Sequence, residues 1–492
     1  MVDDIYSNIK DAEKLVPGQL ALFLAILASA AATYQFFFDD VPLDLSISDA
    51  SQVSLYWTNS ALEMLEIARR TCEGVIEDIQ ATILLSFLLY HLEGFSARVR
   101  GLFASATCIA RDLSLHRIDV PSSQISDSRS QPDPVSLEMK RRIFWHVVAT
   151  DWLLSLSGGP QEGTYNMQPR HMIVKRPRNV DDKDLRQNPS LDQPISSPTV
   201  MSYYIQRINL ADLCRRVADT MPLLNVEVSP INYQDIIALD KRFEAFLEEL
   251  PTFLKTDEQS RMSSEEVMLK YPQLRAQRYA LGMIALTRRC KLHQPFLIRG
   301  SINKGYHFSR EVSLKSARSV IKLKKSVELE PGSVFASDVK LTGICHHIFM
   351  ATIVLVTDLC FNRGHGDDEE RHYEVVEALK ILEEAKSRSR MVGEFVESLE
   401  DVLRRHKVHL LNRPHTTNNV GSSNAQMDQP HKDLQTTESI RVNTSNPWET
   451  LEDPMSYPSE FDSVWRDYVQ LGPVLQMPEW DSLFSDLDNA FN

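Results

Sequence analysis

Apolar side chains recur at the three-to-four-residue spacing of an α-helix along most of this 492-residue chain. The pattern is clear in residues 136–156 (SLEMKRRIFWHVVATDWLLSL) and continues through residues 18–414. Positions three and four apart share one face of a helix, whereas strands alternate with a period of two. The sequence shows no series of short alternating segments joined by hairpin turns. It therefore predicts an all-α fold, a large multi-helix bundle.

Polar or proline-containing stretches separate the expected helices. A polar loop is expected at residues 121–134, and an irregular central loop region is expected at 158–200, which begins with Gly158, Gly159 and Pro160. Residues 1–17 form an N-terminal lead. The expected helices cover residues 18–38, 54–75, 78–93, 97–115, 136–156, 200 to the 220s, 232–250, 272–293, 309–328, 338–361 and 371–411.

The segment 18–38 contains no charge and is long enough to span a bilayer. The residues before it are acidic rather than basic, which argues against a signal peptide. It is rich in alanine, and its apolar side chains follow helical spacing. We therefore expect a helix buried in the bundle and no membrane partner.

Composition limits the classes of function. The chain has 53 basic and 67 acidic residues and a net charge of −14, so a surface devoted to nucleic acid is not expected. None of its six cysteines has a partner at zinc-site spacing, and buried reduced thiols are expected instead. Cys345, His346 and His347 are consecutive on a helix and cannot all face one metal. His406 and His409 are one turn apart and could share a metal ion, but a polar surface role is favoured for them, and we expect no metal or other cofactor.

Enzyme motifs are also missing from the sequence. It contains no G-x-S-x-G, H-E-x-x-H or phosphate-binding glycine loop. An α-helical lyase would need aspartate clusters for magnesium. The groups at 39–44 and 181–184 lack the D-D-x-x-D spacing and contain or follow prolines. A lyase therefore stays only as the weakest alternative.

The character of the chain changes after Pro414. Residues 415–446 have the polar composition of a linker. Residues 447–492 contain ten acids, one base and three of the six tryptophans, so acidic residues alternate with large apolar ones. Such a flexible acidic tail is typical of an activation segment that folds onto a coactivator, and docking of the tail on the body is the alternative. The expected anchors are Trp480, Leu483, Phe484 and Leu487.

A short basic group lies in the central loop region. Lys175, Arg176 and Arg178 could form a nuclear-import signal. Equally, they could pair with the neighbouring acids Asp181, Asp182 and Asp184. Both interpretations stay open from the sequence.

Three motifs carry a resemblance to a known family. They are LEMKRRIFWHVVATDWLLS from Leu137, SGGPQEGTY from Ser157 followed by HMIVKRPRNVDD from His171, and LHQPFL from Leu292. In this order they resemble the fungal-specific transcription factor domain, the middle homology region that follows a Zn2Cys6 cluster. The resemblance implies a structural core motif in which an Arg–Asp pair orients the Gly-Gly-Pro turn. Its residues are Glu138, Arg141, Arg142, Trp145, Asp151, Gly158 and Pro160.

The resemblance implies a nuclear, pathway-specific regulator of transcription, for instance of a metabolic or biosynthetic gene cluster. Its helical body would restrain the tail, and the tail would bind a coactivator. The family's cysteine cluster is missing here, since no cysteine precedes Cys72. We therefore do not expect this chain to bind DNA directly, and expect any DNA contact to come from a DNA-binding partner or from an upstream part of a longer protein. A homodimer is the alternative partner. A small-molecule sensor or repressor without DNA binding is the main alternative.

Overall fold

The predicted all-α architecture is confirmed by a computed structural model. It describes residues 16–37, 47–71, 74–94, 96–121, 133–157, 161–221, 232–297, 300, 303–328, 342–362, 368–386 and 390–408. No strand occurs within these ranges. The linker 415–446 and the tail 447–492, with its four expected anchors, lie outside the described residues.

Fifteen α-helices follow one another through the described ranges, with short 3-10 turns between some of them. In chain order they are α1 (Pro17–Phe37), α2 (Ile47–Thr71), α3 (Ile76–Glu93), α4 (Ala97–Asp112), α5 (Pro134–Leu154), α6 (Asp182–Gln187), α7 (Ser202–Thr220), α8 (Tyr233–Glu248), α9 (Glu258–Ser263), α10 (Glu265–Lys270), α11 (Gln273–Leu297), α12 (His307–Glu328), α13 (Thr342–Phe361), α14 (Asp368–Lys386) and α15 (Arg390–Arg405).

Local sequence explains several helix starts. Asp133 caps α5 by accepting a hydrogen bond from Ser136 N at 2.8 Å, and Pro134 follows at the first helical position. Ser96 caps α4 in the same way, through Val99 N at 3.2 Å. Both caps satisfy backbone N–H groups that would otherwise lack partners.

The single helix expected over 371–411 is wrong. The chain forms two helices there, α14 and α15, which pack against each other and against α13. The apolar period misleads because both helices bury one face in the same core. Buried in it are Val375, Leu379 and Leu382 from α14 and Val392, Val396, Leu399 and Leu403 from α15.

Three large hydrophobic cores, with a small fourth cluster between α11 and α12, organise the described helices. The N-terminal core lies between α1, α2, α3 and α4, where small side chains such as Ala21, Ala25 and Ala61 allow close approach. The central core joins α5, α7, α8 and α11. The C-terminal core surrounds α13, where the rings of Phe349 and Phe395 stack 4.1 Å apart.

Two apolar helices bear on the membrane question. In α1, Ala21, Ala25 and Ala28 are fully buried against neighbouring helices, as the sequence predicts. Among the described residues, one helix segment, Gly343–Phe361 of α13, has the length and composition to cross a membrane. Its residues are 83% buried inside the protein, as expected for a core helix.

The cysteines follow the predicted pattern in part. Cys214, Cys290, Cys345 and Cys360 are buried free thiols, and burial raises the pKa of Cys214 and Cys290 to about 12. Cys108 is exposed, contrary to expectation, because it lies on the outer face of α4.

Candidate regulatory site around helix α5

Glu138 is the buried centre of the motif on α5. The Glu138 carboxylate is fully buried. It accepts two hydrogen bonds from Arg178, one from the backbone N–H at 2.9 Å and one from the side-chain Nε at 3.2 Å. Arg141 Nη1 lies 3.4 Å and Arg142 Nε lies 3.5 Å from the same carboxylate. Burying a carboxylate is costly unless it is paired and hydrogen-bonded, and three guanidinium groups meet that requirement here.

The carboxylate that pairs with Arg141 of this motif belongs to Asp119. Arg141 binds Asp119 through two nitrogens, one at 2.9 Å, and Lys175 N donates to the same carboxylate at 2.8 Å. Burial raises the pKa of Asp119, but the hydrogen bonds from Arg141 and Lys175 N outweigh it and hold the pKa below its usual value. Asp119 thereby joins the end of the α4 region to the central loop.

The resemblance predicts that Asp151 pairs with an arginine of α5, and this prediction is wrong. Asp151 accepts hydrogen bonds from Asn166 N and Met167 N, both at 2.8 Å, and makes no ion pair with Arg141 among the described residues. Ten residues separate Arg141 from Asp151, which places them about 15 Å apart along the helix axis. Asp151 thus orients the backbone after the glycine-rich turn, while Gly158 and Pro160 themselves lie outside the described residues.

The two tryptophans of α5 also bind loop backbone. Trp145 Nε1 donates to Lys175 O at 2.8 Å, and Trp152 Nε1 donates to Met167 O at 2.8 Å. The Arg176 guanidinium lies 4.0 Å from the centre of the Trp145 ring, a cation–π contact. Each indole is buried yet keeps its polar atom satisfied.

We call residues 161–200 the tethered loop, since α5 side chains hold it along its length. Arg142 binds Asp182 at 2.5 Å and Val180 O at 2.9 Å. Inside the loop, Asn179 Nδ2 donates to Pro194 O at 3.0 Å and to Ser197 O at 2.9 Å. A stretch whose only helices are the short α6 and a 3-10 turn at Pro169–His171 is therefore fixed mainly by side chains that replace backbone hydrogen bonding.

The structure places the basic group 175–178 within this network. Arg178 binds Glu138, and Arg176 covers Trp145, while Lys175 and Arg176 remain exposed. None of the three makes an ion pair with Asp181, Asp182 or Asp184 in the described part of the chain, so that interpretation is wrong. Asp182 pairs with Arg142 instead. The import function stays a prediction.

The LHQPF motif forms a second polar junction. His293 is fully buried on α11, with Nε2 2.9 Å from Asp240 and Nδ1 2.8 Å from Ser309 Oγ. Arg289 binds the same Asp240 at 2.5 Å. Burial raises the pKa of Asp240, but hydrogen bonds from Arg289 and His293 overcome this and bring it to about 2. The motif therefore links α8, α11 and α12.

Two residues that make buried polar contacts, Asp119 and Arg207, are not predicted from the sequence. Asp119 is missed because its partners lie 22 and 56 residues away. Arg207 could have been found, since it occupies the apolar stripe of α7 between Tyr203 and Leu210. A charge in such a stripe indicates a buried polar site.

The geometry defines a class of protein. Most polar atoms around α5 are used to hold the tethered loop, and no group of three potential metal ligands occurs in the described ranges. The fold and the site are those of a helical scaffold that fixes a long loop on a central helix.

Comparison with known proteins gives the family. The probable transcription factor lepB of Aspergillus flavus is 40% identical over 497 aligned residues, which cover 99% of this chain and 86% of lepB. The agnestins biosynthesis cluster transcription factor AgnL11 of Paecilomyces divaricatus is 31% identical over 82% of the chain. Transcription factor TAS2 of Pyricularia oryzae is 28% identical over 83% of it. No protein-family model matches the chain.

The chain belongs to this family of fungal transcription factors and is a transcriptional regulator. It spans 86% of the length of lepB, but only 57% of AgnL11 and 56% of TAS2. The resemblance of the three sequence motifs to fungal transcription factors is thus confirmed at the level of the family.

Proposed function

We propose that the chain is a nuclear, pathway-specific regulator of a biosynthetic gene cluster, and that its body is the middle homology region of the zinc-cluster family. The observation that supports this proposal is the assembly of two family-like motifs into one site. Glu138 and Trp145 from the first motif bind Arg178 and Lys175 of the second. The name of AgnL11, a biosynthesis cluster transcription factor, supports the pathway-specific role.

DNA contact is proposed to come from a DNA-binding partner chain. The net charge is −14, and the six cysteines lack the spacing of a zinc cluster. The protein then acts through its body and through the tail, whose Trp480 and Phe484 are proposed to anchor a coactivator. An enzymatic role does not form part of the proposal.

The test uses a strain that lacks the gene. We expect transcripts of a contiguous set of biosynthetic genes to fall and the full chain to restore them. A variant with Trp480→Ala and Phe484→Ala should not restore them, because both aromatic anchors are removed. The matched control Trp448→Ala removes a tail tryptophan outside the proposed anchor segment and should restore them. RNA sequencing gives the measurement.

Three results would contradict the proposal or a part of it. Unchanged transcripts in the deletion strain would exclude a regulator of such a cluster. Increased transcripts would favour the repressor alternative over the activator. If the doubly substituted chain restored the transcripts fully, only the proposed role of Trp480 and Phe484 as anchors would be excluded.

A further inference from the structure

A partly open cavity lies where the N-terminal and central cores meet. Its volume is about 440 Å³, within the range of small-molecule sites. Helices α1, α3, α5 and α7 and the tethered loop at Pro177 form its walls. Most of the lining is apolar, with contributions from Leu22, Ile26, Ile83, Leu84, Phe87 and Ile208.

Arg207 is a buried cation on this wall. Its exposed fraction is 7%, and its Nη2 donates to Thr150 Oγ1 at 2.8 Å. Within the described part of the chain it makes no ion pair, as is also true of the buried Arg288, whereas Arg141 and the half-buried Arg310 each bind a carboxylate. A guanidinium has five N–H donors and stays protonated, so this unpaired charge favours an anion beside it.

Two further polar groups border the same space. His146 Nε2 and Gln80 Oε1 are buried without a hydrogen-bond partner among the described residues. Burial and the nearby Arg207 charge lower the pKa of His146 to about 3, so its imidazole is neutral. Native proteins seldom leave buried polar atoms unsatisfied. Gln80 Oε1 can only accept a hydrogen bond, whereas a neutral imidazole nitrogen donates or accepts, so a ligand that also carries a hydroxyl group would satisfy both.

We propose that this cavity binds a small organic anion, with an apolar body between α1 and α3 and a carboxylate or acidic phenolate at Arg207. The apolar walls match the body, and the guanidinium of Arg207, which has no ion pair within the described ranges, matches a single negative charge. Arg142 lines the cavity and also binds Asp182 and Val180 O of the tethered loop. An occupied cavity therefore contacts the residue that fixes this loop.

Titration calorimetry on the purified full chain tests the site with matched probes. The first pair is 2-naphthoic acid and 2-naphthamide, which differ in charge but little in shape. The second pair is decanoic acid and decanamide, which distinguishes an aliphatic from an aromatic body. We expect the acid of at least one pair to bind about tenfold more tightly than its amide, because charge-assisted hydrogen bonds are stronger than neutral ones.

Two substitutions separate the site from the fold. Arg207→Gln should weaken binding of the acid about tenfold and leave the amide unchanged. Arg318→Gln, at an exposed pair with Glu374, is the matched control and should change neither. Ile26→Trp fills the cavity from the partly exposed helix α1 and should weaken both probes. Circular dichroism and melting temperature verify that each variant is folded.

The proposal is overturned if no acid binds, if acid and amide bind alike, or if Arg207→Gln leaves the acid's affinity within twofold. These measurements use purified protein and no transcription assay. A failure of the proposed function in cells would therefore leave their outcome unaffected.

Discussion

At the scale of single residues, Glu138 connects the motif helix to the tethered loop. Its carboxylate has no exposed surface, and its partners come from both α5 and the loop. Neutralising this carboxylate would leave three guanidinium groups with less compensating charge in a buried site. The loss of one partner in a buried ion pair typically costs about 3–5 kcal/mol.

Glu138→Gln is therefore expected to lower the free energy of unfolding by about 3 kcal/mol, since the amide keeps one acceptor but loses the charge. Urea denaturation followed by the fluorescence of Trp145 and Trp152 measures the change. The control is Glu374→Gln, whose pair with Arg318 is partly exposed and should contribute below about 1 kcal/mol. Equal losses of unfolding free energy for the two substitutions would contradict a larger contribution from the buried ion pairs of Glu138.

At the scale of elements, α5 acts as the support of a loop that has almost no regular structure of its own. Asp119 contributes from outside the helix, by binding Arg141 and Lys175 N. Loss of the charge at this position should open the loop locally while the helices remain formed.

We expect Asp119→Asn to increase trypsin cleavage after Lys175 and Arg178 by roughly tenfold, because about 1.5 kcal/mol of charged hydrogen bonding is lost. Mass spectrometry of the fragments over time gives the rates. Asp401→Asn is the control, since Asp401 pairs with Arg404 and Arg405 on its own helix, α15. Identical cleavage rates for the wild type and Asp119→Asn would refute the tether.

Helices were more predictable than the contacts between them. The apolar period places α5 at 136–156, within two residues of its observed ends, Pro134 and Leu154. The apolar period cannot show where a helix ends if the next helix buries its apolar face in the same core. The sequence therefore predicts one helix over 371–411, where the structure has α14 and α15. Residue pairs such as Arg141–Asp119 depend on tertiary approach across a loop, which no local pattern contains.

At the scale of the whole molecule, buried neutral histidines lie in α3, α5 and α13, around the contacts between the cores. Burial lowers the pKa of His91 to about 4 and of His346 to about 3, the latter helped by the Arg288 charge. Burial and the Arg207 charge lower the pKa of His146 to about 3, and burial with the neighbouring His346 and Arg288 charges holds the pKa of His347 well below its usual value. Unfolding would return all four to the ordinary range near 6.5.

The unfolded chain therefore binds more protons than the folded chain below pH 6.5, and stability must fall as the pH drops from 6.5 toward 4. Each histidine contributes up to about 1.4 kcal/mol per pH unit. Urea denaturation at pH 7, 6 and 5 measures the slope, which His346→Gln should reduce. His171→Gln, at an exposed position, should leave it unchanged. A stability independent of pH over this range would contradict the prediction.

Helix α11 has a consequence for how genes of this kind recombine. Its 25 residues supply Leu281 and Leu292 to the central core and Cys290 and Leu297 to the C-terminal core. A recombination breakpoint on either side of α11 would separate one of these cores from the α11 side chains that pack in it, and would expose apolar side chains of that core. Because α3 and α4 also supply Ile79 and Ala106 to the central core, exchange of segments between related genes should carry the region from α3 to α15 as one inherited unit.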